Sequence, residues 1–207
     1  GDADLITASY YSNTVSVLLN TTKPDATHRN LPRKEHSATG RGPSDLSLGD
    51  LNGDGNLDIL MPAGHGHTEK ENIYIYLNRD GDIDARSRIE LPGNGSEQGL
   101  VHDFNKDGYN DIAVANYRDS HWSWIDSYIY YGSAEGFSSD NRAELPAYWA
   151  SGLTAADFSG DGWTDLAFTL AFVAERTTDP AVLAVVAAFA LLAFVGLAAI
   201  RRPKPSE

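Results

Sequence analysis

Through the first 170 positions, aliphatic, β-branched and aromatic residues cluster in short runs bounded by stretches rich in Gly, Pro, Asn, Asp and Ser. Runs this short, with these boundaries, predict strands rather than helices. LITAS from Leu5, ILMPA from Ile59, IAVAN from Ile112 and LAFTL from Leu166 each follow an acidic segment, intact or partial. A second set follows: VSVLL from Val15, IYIYL from Ile73 and YIYY from Tyr128. Leu-Pro pairs then recur at Leu31, Leu91 and Leu145, each leading through a short apolar run to the next acidic loop. The pattern predicts four short strands in each unit of about 54 residues, and no unit buries both its faces alone, so neighbours must stack.

Residues 181–200 break this pattern with AVLAVVAAFALLAFVGLAAI, twenty consecutive apolar residues. At ~1.5 Å per residue a helix of this length spans ~30 Å, a bilayer core. Arg201 and Arg202 follow at once, so the positive-inside rule puts the tail in the cytoplasm and residues 1–180 outside, extracellular or periplasmic. The expected organisation is a repeat region over 1–173, with a partial unit at 1–45 and units starting near 46, 100 and 154. A linker at 174–180, a transmembrane helix at 181–200 and a basic tail at 201–207 complete it. No signal peptide is recognisable and the first residue is Gly1, so the expectation is a processed or truncated chain. The helix with its Arg-Arg flank also resembles a cleaved bacterial sorting signal, but neither an LPxTG nor a Pro-Glu-Pro motif is present, which favours a retained anchor.

Charge sharpens this division. The 207 residues carry a formal net charge of −13, with 29 acidic residues against 16 basic ones and no cysteine. Thirteen of the basic and twenty-eight of the acidic residues fall in 1–180, leaving that part at −15. Disulfides and cysteine-based metal sites are excluded, and a general nucleic-acid binder is disfavoured because this charge repels phosphate.

The acidity has a local source. Three segments align without gaps from Asp50, Asp103 and Asp157, 53 and 54 residues apart, each reading Asp-x-(Asn/Ser)-x-Asp-Gly-x-x-Asp. Positions 1, 3 and 5 place oxygen donors on one side of a tight turn, and Gly55, Gly108 and Gly162 at position 6 permit the bend. Position 7 offers a carbonyl, and the aspartate at position 9 closes the loop from the start of the next strand. Oxygen-only donors with several carboxylates favour Ca²⁺. Asp, Asn and Gly also simply make good turns, but three copies in register argue for a metal cage. An EF-hand needs an acidic residue at position 12, where Met61, Val114 and Phe168 stand instead. Near Gly1, only Asp2 and Asp4 of a fourth copy remain, and no metal is expected there.

Motif, period and phrases such as SNTVSVLLN and YIYYGSAEGF resemble FG-GAP/VCBS repeats, the calcium-binding blades of integrin α-chain propellers and many microbial surface proteins. The resemblance implies an all-β propeller, commonly of seven blades, with the calcium loop joining the first two strands of each repeat. Carried over by position, it implies about three structural Ca²⁺ sites. The first would use Asp50, Asn52, Asp54, Asp58 and the carbonyl of Asn56. The second would use Asp103, Asn105, Asp107, Asp111 and the carbonyl of Tyr109, and the third Asp157, Ser159, Asp161, Asp165 and the carbonyl of Trp163. Ser159 is a weaker donor than Asn, so the third site should bind less tightly. The blades present are too few for a closed seven-blade ring.

Strand alternation puts the calcium loops and Ser133–Asn141 at one end of the propeller. The other end holds the segments of variable length, where binding loops usually sit. His121, Trp122, Trp124, Tyr148 and Trp149 are the candidate ligand face there, since exposed aromatic rings stack on sugars or anchor proteins. Packing between blades is the alternative for any one ring. His65, His67 and Glu69 read as an ordinary polar loop for want of a third ligand, and His102 as a residue that packs or hydrogen-bonds beside its loop. No nucleophile elbow, P-loop or dinucleotide fingerprint is present, and no enzyme is expected. The expected function is a membrane-anchored, calcium-stabilised ectodomain that binds a protein or glycan. The alternative is an accessory single-span subunit of a larger membrane complex.

Overall fold

A computed structural model describes residues 4–18, 20–21, 33–37, 42–64, 71–79, 82–83, 88–117, 125–147, 149–170 and 196–198. Every regular element among them is a strand. The first sheet holds β1 (Leu5–Ser9), β2 (Thr14–Leu18) and β3 (Arg33–Ser37) in that order, antiparallel. The second holds β4 (Ser47–Gly49), β5 (Asp58–Met61) and β6 (Ile73–Tyr76); a small hairpin of β7 (Asn78–Arg79) and β8 (Asp82–Ile83) precedes its outer strand β9 (Ile89–Leu91). The third is β10 (Ser96–His102), β11 (Asp111–Asn116), β12 (Ser127–Tyr130) and β13 (Arg142–Leu145). In the fourth, β14 (Ala150–Ala156) pairs with β15 (Asp165–Leu170), which also pairs with β16 (Gly196–Ala198).

The sheets stack as blades, and period-2 alternation explains how. Ile59 and Met61 of β5 pack with Val15, Val17, Tyr74 and Tyr76 against the first sheet. Leu60 points the other way, with Ile73 and Ile75, onto Ile112, Val114, Tyr128 and Tyr130 of the third sheet. Ala113, Ala115 and Ile129 then meet Leu153, Leu166 and Phe168 of the fourth. Middle strands buried on both faces read as apolar runs rather than alternating ones, as Ile112 to Ala115 do in β11, all six of whose residues are buried.

β4 and β14 both lie against β10, so these three form the inner side of the stack. Their outward edges would leave backbone groups unpaired, and neighbouring blades supply partners. Asp45 Oδ2 accepts from Gly99 N at 3.1 Å, and Ser47 Oγ donates to Gly99 O at 2.6 Å. One blade on, Gln98 Oε1 accepts from Leu153 N at 2.8 Å. Asp45 and Gln98 hold the same place in their repeats, five residues before the first loop aspartate, so this is a repeated latch between blades. Bulges at the start of β10 and β14, each opposite the exit of the following strand, recur in register too.

One expectation changes, in the first sheet. In the second and third sheets the outer strand ends at the Leu-Pro pair, but in the first, β3 follows Leu31-Pro32 instead. Its sequence RKEHS is highly polar, as suits a sheet edge that must resist further pairing. The predicted helix over 181–200 is described only at Gly196–Ala198, and there the chain is a strand bonded to Leu166–Phe168. Among the described residues no other strand pairs with that edge of β15. Among the described residues no helix is long and apolar enough to cross a membrane. The rest of 174–207 lies outside them.

Candidate metal-binding loops

Each acidic loop joins the first two strands of its blade: β4 to β5, β10 to β11 and β14 to β15. The aspartate at position 1 builds the turn. Asp50 Oδ1 accepts from Gly53 N at 2.7 Å and Asp54 N at 3.1 Å, and its Oδ2 from Gly55 N at 2.9 Å. Asp157 repeats all three bonds with Gly160, Asp161 and Gly162 at 2.7, 3.1 and 2.8 Å, and Asp103 repeats those to Asp107 and Gly108. Position 3 joins in: Asn52 Oδ1 accepts from Asp54 N at 3.0 Å, and Asn105 Oδ1 from Asp107 N at 2.9 Å. Position 5 accepts from the position 7 amide in every loop, at 2.8 to 2.9 Å. Gly55, Gly108 and Gly162 have φ of 88°, 93° and 85°, a left-handed turn that only glycine makes freely.

Position 9 behaves differently. Asp58 and Asp111 are fully buried, and each spends both oxygens on backbone amides. Oδ2 takes the position 2 amide, from Leu51 or Phe104, at 2.8 and 2.9 Å. Oδ1 takes the amide just beyond the next strand, from Asn78 or Gly132, at 2.8 and 3.0 Å. Asp165 repeats the first bond with Phe158 N at 3.0 Å. Asp4 of the partial first unit repeats the second with Asn20 N at 2.6 Å. Position 9 therefore pins the loop to the second and third strands.

Electrostatics separates the two kinds of aspartate. Hydrogen bonds from the Asn56 amide to Asp54, and from the Gly162 amide to Asp157, hold those exposed carboxyls below the usual range. Burial pushes Asp58 and Asp111 up, and the carboxylates at positions 1 and 5 of the same loop add to the rise. Like charges thus gather at each turn, where a divalent cation would relieve them. Among the described residues no three His, Cys, Asp or Glu side chains stand close enough to form a closed cage. The donors still fit a hard cation: they are all oxygens, and positions 1 and 5 retain lone pairs beyond their amide bonds.

The loops also touch one another. Asn110 Nδ2, at position 8, donates to Asp50 O of the preceding loop at 2.8 Å. Thr164, at the same position one loop on, meets His102 Nε2 at 2.8 Å, and that imidazole packs edge-on against Phe104. Leu57, Tyr109, Phe158 and Trp163 stand exposed at this end. Of the proposed ligand face, His121, Trp122, Trp124 and Tyr148 lie outside the described residues, as do His65, His67 and Glu69. Trp149 is half-buried with φ 55°.

Sequence reasoning missed the position 9 amide partners, the Asp45 and Gln98 latches and the loop-to-loop bonds at position 8. It also missed paired Arg-x-Glu segments on the outer strands, where Arg88 lies over Tyr74 with Glu90 at 2.5 Å and Arg142 over Tyr128 with Glu144 at 2.9 Å. The aligned repeats carry a signal for the Arg-x-Glu pairs, which recur as the same residues one repeat apart, whereas the latch and position 8 residues change type from repeat to repeat.

Integrin alpha-6 of Gallus gallus is 34% identical over 120 residues, 51% of this chain and 11% of that protein. Integrin alpha-7 of Homo sapiens is 32% identical over 130 residues, 58% of this chain and 11% of its own length. Integrin alpha-PS3 of Drosophila melanogaster is 29% identical over 140 residues, 57% of this chain and 12% of its own. The chain thus spans about a tenth of these curated relatives. The FG-GAP-like repeat matches residues 1–61 and 103–168, more than half of the chain, and the chain belongs to that family.

Proposed function

We propose that residues 1–173 form a calcium-binding propeller segment serving adhesion or recognition outside the cell, with a protein or glycan as ligand. The observation that carries this reading is the loop built three times with one hydrogen-bond plan, in which position 1 gathers the turn's amides and the position 5 carboxylates stand exposed beside it. Similarity to integrin α-chains supports a non-enzymatic, cell-surface role. Ca²⁺ here is structural: it neutralises the gathered aspartates and stiffens the turn between the first two strands, so the folded state should gain stability by mass action. Titration calorimetry should count about three ions. The combined substitution Asp54→Asn, Asp107→Asn and Asp161→Asn should abolish binding, and retention of full affinity would sink the reading.

Residues 181–200 are, in the same proposal, the anchor that holds the propeller outside a membrane. Twenty apolar residues followed by Arg-Arg support it. The strand at Gly196–Ala198 offers the competing placement, a blade strand on β15. Carbonate-washed membranes distinguish them: an anchored chain stays in the pellet, whereas a blade strand leaves with the wash.

One observation favours the accessory-subunit reading. Position 2 of the first two intact loops packs between blades, with Leu51 7% exposed and Phe104 against the fourth sheet, but Phe158 is 47% exposed. A partner subunit would cover it. Purification in mild detergent separates the cases: a stoichiometric companion supports the subunit, and a chain eluting alone supports the free receptor.

A further inference from the structure

Position 4 of the first and third loops is glycine, with φ of 77° at Gly53 and 73° at Gly160. The second loop keeps the same left-handed backbone at φ 58° but places Lys106 there. An L-residue with a long side chain strains this conformation, and such strain persists where the side chain has work elsewhere. The Lys106 ammonium leaves its own loop altogether. It donates to the carbonyl of Gly162, at position 6 of the third loop, and lies 4.6 Å from the centre of the Trp163 ring. Trp163 is position 7, whose carbonyl is the backbone donor expected to face a bound cation. One side chain thus holds both ends of the Gly162–Trp163 peptide from a neighbouring blade.

We propose that Lys106 is a positioning residue for the third loop, holding Gly162 and the Trp163 ring in place so that Asp157, Ser159, Asp161 and Asp165 take up a divalent cation with the Trp163 carbonyl as a pre-set backbone donor. The inference rests on the calcium reading above and deepens it. The third loop has the poorest donor, Ser159 in place of asparagine, and among the described residues it alone receives such a lysine clamp. The first loop cannot supply an equivalent to the second, because Gly53 has no side chain. Metal binding in the second loop, which carries Lys106, would thereby be coupled to binding in the third. The clamp does not act by neutralising carboxylates: its partners are a carbonyl and a ring, so its effect is on loop order rather than on net attraction.

The test uses Tb³⁺ as probe on the full chain in detergent, because position 7 places a different antenna in each loop: Trp163 in the third, Tyr109 in the second and the non-absorbing Asn56 in the first. Lys106→Gly should weaken Trp163-sensitised Tb³⁺ binding by roughly three- to tenfold, the scale of one exposed cation–π contact with its hydrogen bond. Tyr109-sensitised binding should hold or tighten, because glycine relieves the backbone at φ 58°. Lys106→Arg should restore most of the third-loop affinity. Equal weakening at both loops, or no change at either, overturns the proposal. A metal-free readout separates it from the calcium reading. In chelator, the Trp163 ring current should shift the Lys106 ε-methylene protons upfield, and Trp163→Leu should abolish the shift. If Tb³⁺ binds while that shift is absent, the clamp alone is refuted. If the shift is present and no loop takes Tb³⁺, the calcium reading fails and takes the Lys106 role with it.

Discussion

A buried carboxylate that accepts two backbone amides is a stability element in its own right, whatever its metal chemistry. Asp111 ties Phe104 N to Gly132 N across the start of β11, and burial has already raised the cost of keeping it charged. Asp111→Ala leaves both amides without partners, at a cost of ~2–4 kcal/mol. Urea unfolding in chelator should show this loss, whereas Asp107→Asn, at an exposed position, should stay within ~0.5 kcal/mol of the parent under the same conditions. If the two variants lost equal stability without metal, position 9 would have no separate structural role. Tyr76 presents the opposite case. Its ring is buried against the first sheet and its hydroxyl has no partner among the described residues, and burial pushes its pKa up to about 12. Tyr76→Phe removes only that unpaired group, so stability should be unchanged or rise by ~1 kcal/mol. A loss beyond ~1 kcal/mol would mean the hydroxyl has a partner.

The blade is the element that sequence revealed best, because its signals repeat: apolar runs, acidic loops and Leu-Pro pairs all fall on one period. β5, β6, β11, β12 and β15 lie where those runs stand. Contacts between blades were not legible, because Asp45 and Gln98 look like ordinary polar residues and their partners lie 54 and 55 positions away. Lys106 was equally opaque, since its role depends on a loop 56 residues on. The same distance explains the glycines of the inner strands. A Cβ on Gly99 would stand 2.8 Å from Leu60 Cδ2 and 2.9 Å from Pro62 Cγ, so the second and third blades can approach only with glycine there. Gly99→Ala should cost ~1–3 kcal/mol by overpacking, and Gln98→Ala about 1–2 kcal/mol by stripping the acceptor from Leu153 N. The two residues are neighbours but face different blades, so the double variant tests whether the blades unfold together. Additive losses in one cooperative transition mean they do, and a second transition after Gln98→Ala would show the fourth sheet detaching.

At the scale of the whole molecule, charge and fold oppose each other until the loops are filled. Residues 1–180 carry −15, and nine of the acidic residues sit in three loops gathered at one end of the blades. Neighbouring loops are close enough to bond directly, through Asn110 to Asp50 and through Thr164 to His102, so their repulsion acts between blades as well as within each turn. Salt screens such exposed charges over ~10 Å at 0.1 M. In chelator, the melting temperature should therefore rise by several degrees between 20 mM and roughly 300 mM sodium chloride, as screening stands in for the missing cations. With saturating Ca²⁺, three ions would contribute +6, the net charge of 1–180 would fall to −9, and the salt response should flatten. Scanning calorimetry across this two-by-two set of conditions measures both effects at once. A melting temperature equally insensitive to salt with and without Ca²⁺ would mean the loop carboxylates are already compensated by the amides around them, and that acidity alone, without metal, is compatible with the stacked blades.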